Sequence, residues 1–478
     1  MARRLFPWVS LCGLLVYLAT AYFNIGIIAL DDYDAMIARA IPAQTSSTAD
    51  LIEHHSLVRS AIPSLILLGV AKTAWHAGIT DPINQLRAIL ILMALYVFLT
   101  NLISVRILFP KQNRKDDVQA LLSVSLLGFY FLCPLFLTRP MEETLSLPLL
   151  TLSGALACRY WIRPNSRDIA LSIFILSVSA MLRFHTGICA VILVTLILLK
   201  HRWRDFIPLL SAGTLGFLLT GILDALTKGS FHQSLISYVQ YNVEYSSTYG
   251  VPSYLAFIYL FLGLSIPPTF ISRFKGFQWA RNYERLFPAF LYFIVFLMAH
   301  TVVPHKEERF VLPVLPLFLF CLVPLLQHFW ASGKKWRVVY FVAINAILMP
   351  LASFNIAQNN IISLGRFVDK HPGITSLLGV DETLLIYPEA YFLRPISRPT
   401  VSKQSLSSNL SFPCTQWIAI RSDIRDGMPL ENLGLTKIAE FSPGILESIV
   451  VRLNPGQNRR RGKIELYMSG KCVTSPQL

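Results

Sequence analysis

The chain has 478 residues, of which 54% are apolar and only 14% charged, with a formal net charge of +15. A soluble protein carries about 25% charged residues, and the apolar residues here gather in runs of about 15–23, so the composition excludes an ordinary soluble enzyme and points to a multi-pass membrane protein. The positive charge lies in short loops between those runs, a pattern set by membrane topology rather than by nucleic-acid binding.

The first apolar run follows Arg3 and Arg4 and outlasts the core of a signal peptide, so it reads as a retained helix entering from the cytoplasm. Spans are expected at 8–30, 87–105, 118–137, 143–161, 168–182, 185–199, 206–226, 253–270, 286–303, 309–330 and 337–356, about eleven crossings. The basic loops 106–116, 159–167, 200–204, 273–285 and 334–337 then face the cytoplasm. Segment 61–79 is placed at the membrane face, because one more crossing would turn all five loops outward. The outer side receives loop 31–60, the stretches 138–143 and 227–252, the motif "VPHKEERF" (303–310) and the tail. The division expected is a membrane domain, 1–356, and a small soluble α/β or β-rich domain, 357–478, outside the cytosol. In the tail "ETLLIYPEAYF", "QWIAIRSD", "ESIVVRL" and "KIELYMSG" alternate with turns. Of the seven cysteines, five lie in apolar runs as packing residues, while Cys414 and Cys472 would pair in an oxidising compartment.

Several charges have no topological reason to be where they are. Asp31, Asp32 and Asp34 crowd together after the first helix; mutual repulsion and desolvation would make one of them a base, and a solvated acidic helix end is the plainer reading. Arg139, Glu142 and Glu143 open another helix, where the glutamates also suit the positive end of the helix dipole. Arg183 and His185 stand between two short apolar runs, as functional groups at membrane depth or as an ion pair with an outer-loop carboxylate. In "HKEERF", read as a helix start, His305 and Arg309 share a face that Lys306 also reaches. Such a group would hold a phosphate, with Glu307 and Glu308 orienting it or meeting an acceptor; a charged loop closed by internal salt bridges is the alternative. There is no zinc-type spacing, no P-loop and no dinucleotide fingerprint, which leaves ATP-driven transport and soluble nucleotide-sugar chemistry without local support.

"HKEERFVLPVLPLF" (305–318) resembles the signature of the lipid-phosphate-mannose-dependent mannosyltransferases of glycosyltransferase family 22, the enzymes of GPI-anchor and N-glycan precursor assembly. Four further stretches are similar to that family's motifs, in its order: "LDDYD", "LVRSAIPSLIL" (57–67), "LTRPMEETLSLPLLTLSGALACRYW" (137–161) and "YNVEYSSTYGVPSYLAFIYLFLGLSIPP" (241–268). The resemblance covers roughly residues 25–330 and implies a GT-C fold. It also implies a polyprenyl-phosphate sugar donor, such as dolichyl-phosphate mannose, and a lipid-linked glycan acceptor. Asp31 and Asp32 match the family's acidic pair, Asp31 as base; His305, Lys306, Glu307, Arg309 and Phe310 match directly. His305, Lys306 and Arg309, with Arg183, would then bind the donor phosphate. Glu307, Glu308, Arg139, Glu142 and Tyr249 would contact substrate. No cofactor is implied, since fixed cations suit a monophosphate leaving group, and a divalent cation is left open. Ala29-Leu30 replaces the family's His-Pro before the acidic pair, and Ser253-Tyr254-Leu255 replaces its Trp-His-Trp, marking a divergent member of the endoplasmic reticulum or of a bacterial inner membrane.

Rival readings are a flippase or transporter of lipid-linked glycans, and a GT-C enzyme using another lipid-phosphate sugar. Transporters often show two related halves, and the sequence shows none.

Overall fold

The computed structural model describes the chain apart from residues 30–32, 42–57, 246, 249, 272–273, 407–413, 415, 427, 429, 431–432, 456–457 and 470–478. It divides into two compact units. The first comprises Met1–Tyr22, Ser46–Leu67 and Ile89–Ser353; the second comprises Phe23–Thr45, Leu68–Ala88 and Phe354–Leu478. Two stretches from the first hundred residues thus belong with the tail.

The first unit is helical. Among the described residues, six helical stretches are long and apolar enough to cross a membrane: Ala2–Phe23, Pro82–Leu108, Glu142–Ile162, Trp203–Lys228, Glu308–Ala331 and the one beginning at Lys335. Each of the other expected spans also carries helix, but in shorter pieces. The run 118–137 breaks after Phe129 and resumes as Cys133–Phe136. The run 253–270 holds only Ala256–Leu264, followed closely by Pro267 and Pro268, which cannot donate a helical hydrogen bond. The first helix begins at Ala2 and stops at Phe23, earlier at both ends than the apolar run implies. Segment 61–79 forms the helix Ile62–His76.

Small and hydroxyl-bearing residues bring these helices together, as lipid offers no hydrophobic drive between them. Gly13 and Gly128 let two helices touch backbone to backbone; a Cβ on Gly128 would lie 2.9 Å from the Gly13 Cα. Glu142–Ile162 and Ser166–Leu182 form an antiparallel hairpin. Asn165 caps the second helix by accepting the Arg167 N–H at 3.0 Å. Along the hairpin Ser172 Oγ donates to the Ser153 carbonyl at 2.9 Å, Ser179 Oγ donates to the Ser146 carbonyl at 3.0 Å, and Ser153 Oγ meets the Tyr292 hydroxyl at 3.0 Å. Each hydroxyl finds a partner that lipid could not supply.

In the second unit a five-stranded sheet runs in the order β2-β1-β3-β5-β4, with β1 Ser376–Val380, β2 Thr400–Val401, β3 Gln416–Arg421, β4 Leu435–Phe441 and β5 Ile464–Ser469. β2, β1 and β3 are parallel; β5 is antiparallel to β3 and to β4. Leu378, Val380, Ile418, Ile420 and Tyr467 form a core on one face. The helix Asn359–Lys370 covers the other, where Phe367 meets Trp417 and Phe441 at 6.1 and 5.6 Å. The tail is therefore mixed α/β. Of the apolar runs in the tail, "ESIVVRL" is helical, within Ile445–Leu453. Cys414 is disulfide-bonded and the five cysteines of the apolar runs are free. Cys472, its expected partner, lies outside the described residues.

Candidate active site

Hairpin geometry builds the site. Helices of 21 and 17 residues, at about 1.5 Å per residue and joined by a short link, bring the start of the first beside the end of the second. Pro140 disfavours helix at the residue before it, and Met141 stays extended, so the helix opens on Glu142 and Glu143. At the other helix's end Arg183 is extended, φ −150°, and its N–H donates to the Ser179 carbonyl. Its guanidinium places Nη1 2.7 Å from Glu142 Oε2 and Nη2 3.0 Å from Glu143 Oε1. All three side chains are under 10% exposed. Arg59, from the "LVRSAIPSLIL" stretch, approaches the second Glu142 oxygen at 3.7 Å.

The motif at 303–310 docks against this ion group. It is not helical through His305, as the sequence reading supposed: Glu307 is extended, φ −123° and ψ 143°, and a 3-10 helix begins at Glu308. His305 and Arg309 do not share a helix face but meet through Glu307. The His305 Nε2 lies 2.9 Å from Glu307 Oε1, and Arg309 Nε donates to Oε2 at 2.6 Å. Burial works to raise the Glu307 carboxyl, but the bonds from Arg309 and then His305 outweigh it and hold the carboxyl below its ordinary range. Lys306 is buried and donates to the Val303 carbonyl at 2.7 Å; burial lowers its ammonium pKa. Its Nζ also lies 5.2 Å from the ring of Tyr254, where the family pattern has the His of Trp-His-Trp. Glu308 is exposed.

Phe310 joins the two halves. The Arg183 and Arg309 guanidiniums lie 5.4 and 5.5 Å from its ring centroid, and the His305 ring lies at 5.5 Å. Beside it, His185 packs edge-on to His300 at 4.6 Å and its Nδ1 faces the Tyr238 hydroxyl at 3.5 Å. Arg139 is buried two residues ahead of Met141, its Nε donating to the Leu135 carbonyl at 3.3 Å. One polar cluster thus gathers Arg59, Glu142, Glu143, Arg183 and residues 305–310, from stretches up to 250 positions apart. Among the described residues no group of three or more His, Cys, Asp or Glu is arranged to hold a metal.

Asp31, Asp32 and Tyr249 lie outside the described residues. The flanks of the acidic pair are described, within the second unit. Tyr391 Oη donates to the Ile25 carbonyl at 3.0 Å, the Ile27 N–H to the Ala357 carbonyl at 3.1 Å, and the Ala390 N–H to Tyr33 Oη at 2.8 Å. Sequence reading missed Arg59, His300 and Tyr238. Arg59 stands in a quoted motif and was open to selection on that ground. His300, a lone His in an apolar helix, and Tyr238, one of several tyrosines in a polar helix, carry no signal of their own.

Comparison with known proteins agrees with this architecture. GPI mannosyltransferase 3 of Yarrowia lipolytica is 23% identical over 333 residues, 68% of this chain. The aligned region spans 63% of that relative's length. The crystal structure of ArnT from Cupriavidus metallidurans bound to undecaprenyl phosphate superposes with a TM-score of 0.61 at 11% identity, covering 97% of both chains. Its apo form gives 0.59 at 11% identity, covering 98% of both. The likeness to ArnT is one of fold, the GT-C type. The Alg9-like mannosyltransferase family model matches residues 53–370, well over half of the chain and all of the cluster described above. The chain belongs to the Alg9-like mannosyltransferase family.

Proposed function

We propose that this protein transfers a mannose, or another hexose, from a polyprenyl-phosphate donor to a lipid-linked glycan acceptor, inverting the anomeric centre. The observation that carries the reading is the convergence of Arg59, Glu142, Arg183 and the His305–Phe310 stretch in a chain of this family. The acceptor hydroxyl oxygen attacks the anomeric carbon as the bond from that carbon to the phosphate oxygen breaks, its electron pair leaving with the lipid phosphate. Lys306 and Arg309, with His305, neutralise that charge in a water-poor site. Glu307 keeps Arg309 and His305 aimed. Arg183, held by Glu142 and Glu143, is assigned to the donor phosphate with Lys306 and Arg309. Asp31 takes the proton of the acceptor hydroxyl and Asp32 steadies it. Arg139, Glu142, Glu308 and Tyr249 are assigned to acceptor or donor contacts. Fixed cations carry the leaving charge in this scheme, with no resident metal assigned.

About eleven crossings with a cytoplasmic N-terminus would set this site on the non-cytosolic face, in the endoplasmic reticulum or a bacterial inner membrane. The test is transfer of labelled mannose from polyprenyl-phosphate mannose in membranes carrying Asp31→Asn. Loss of a general base predicts a fall of about 10²–10⁴-fold; wild-type turnover removes Asp31 from the role. Mass spectrometry of lipid-linked glycans from cells lacking the protein separates the rival. A glycan short of one hexose supports transfer, while the complete glycan stranded on the inner face supports translocation.

A further inference from the structure

The helix Ile445–Leu453 is inside out for a water-soluble domain. Its Glu447 is buried, 4% exposed, while Ile445, Ile449 and Leu453 stand 74%, 49% and 80% exposed. These three recur every four residues and share one face, which Val450 widens. A soluble domain turns such a face into its core.

The contacts that hold this orientation are to residues that follow a membrane helix in the chain. The Gln358 N–H donates to the Glu447 carboxylate at 2.8 Å, and Arg461 Nε lies 3.6 Å from its other oxygen. The Leu446 N–H donates to Asn355 Oδ1 at 3.3 Å. Gly444 sits so close that a Cβ there would come within 2.3 Å of the same oxygen. Residues 355–358 follow directly on Phe354, where the helix Lys335–Phe354 ends, within a stretch apolar enough to cross a membrane. Phe354 is 51% exposed and its ring meets that of Phe23, the last residue of the first membrane helix, at 6.2 Å. Arg452 on the exposed helix and Arg459 in the 3-10 turn packed beside it are both exposed, and they complement phosphate headgroups.

We propose that Ile445–Leu453 is an interfacial helix whose occupant is the bilayer itself, at the surface where the helix Lys335–Phe354 emerges. Ile445, Ile449 and Leu453 enter the acyl boundary, by about 5–10 Å as such helices do, and Arg452 and Arg459 meet lipid phosphates. The α/β unit is then seated on the membrane by its own surface as well as by the chain that leads into it.

The test uses the full chain in vesicles of zwitterionic and anionic phospholipid, with Cys12→Ser removing the exposed free thiol. An environment-sensitive fluorophore is attached through Ile449→Cys, and through Thr436→Cys on the exposed side of β4 as control. The expected result is a blue-shifted emission at 449, quenched by spin labels carried on shallow lipid carbons and protected from aqueous iodide, with the reverse at 436. A water-like, iodide-quenched probe at 449 overturns the proposal. Shielding that grows with protein density in the vesicle also overturns it, in favour of a second copy of the chain. Ile445→Glu with Leu453→Glu, both at exposed positions on which folding does not depend, should abolish the shielding at 449; shielding that survives counts against the membrane.

Discussion

The helical hairpin at the centre of the first unit carries an ion pair at each end, and the two are built differently. At the linked end Arg159 donates to Asp168 through two nitrogens, at 2.9 and 2.5 Å, but the arginine side chain is 45% exposed. At the open end Arg183 faces two glutamates, all three buried, under the ring of Phe310. The first arrangement is what holding a loop requires. The second places three full charges where desolvation is expensive, which a hairpin has no need to do for stability alone. Buried ionic groups at membrane depth are functional candidates for this reason, and "HKEERF" and the start of the stretch 137–161 fall at the open end.

The largest expected effect follows from removing the shared cation. Arg183→Ala leaves Glu142 and Glu143 side by side, buried and without their principal partner, and should cost about 3–5 kcal/mol in addition to abolishing transfer. Arg183→Lys separates charge from geometry. One ammonium cannot span both carboxylates as the guanidinium fork does, so this variant should recover much of the stability and little of the activity. Thermal unfolding in detergent, measured beside transfer in membranes, reads both. An Arg183→Ala protein as stable and active as the wild type would make the two ends equivalent and dissolve the comparison.

Glu307 gives a smaller, pH-dependent effect. Its carboxyl lies below the ordinary range in the folded protein, so its stabilising contribution is complete above the unfolded carboxylate value, about 4.3. That contribution is lost as pH falls through the folded value. Glu307→Gln removes the dependence. The melting temperatures of wild type and variant should therefore differ at neutral pH and converge on acidification. A gap that holds constant down to pH 3 would mean the carboxylate is not held by Arg309 and His305.

Six of the expected spans match helical stretches long and apolar enough to cross; they were legible because apolar runs in a membrane protein have one dominant solution, and the charged stretches were legible because charge is rare here. What joins them was not. Arg183 is separated from Glu142 by a whole hairpin, and only the folded hairpin turns that separation into 2.7 Å. His305 and Arg309 do come together, in the loop closed by internal salt bridges that the sequence left as the alternative to a shared helix face. Helical spacing predicted a shared face, whereas an extended Glu307 bridges them with its two oxygens. For "ESIVVRL" the run alone did not decide between helix and strand. Its β-branched residues favour strands, but Glu447 accepts the Gln358 N–H and Asn355 receives the Leu446 N–H, and tertiary bonds of that kind override a weak local preference.

The smallest effect is expected at the linked end, and it is the sharpest test of the contrast. Arg159→Ala removes a half-exposed guanidinium from a buried carboxylate, Asp168 being 8% exposed, so the cost should exceed the roughly 0–1 kcal/mol of a fully exposed pair and stay below that of stranding two buried glutamates. Asp168 occupies the first turn of Ser166–Leu182, where the helix dipole favours a carboxylate, and its own N–H is bonded to the Asn165 carbonyl. The same end has a second lock: buried Asp205 accepts from the Tyr160 and Ser166 hydroxyls at 2.7 and 2.6 Å and from Arg202 at 3.1 Å. Arg159→Ala should thus lower the melting temperature by less than Arg183→Ala and leave transfer unchanged. A loss of transfer comparable to that of Arg183→Ala would mean that the hairpin passes strain from its linked end to the cluster, and the separation of a holding end from a working end would fail.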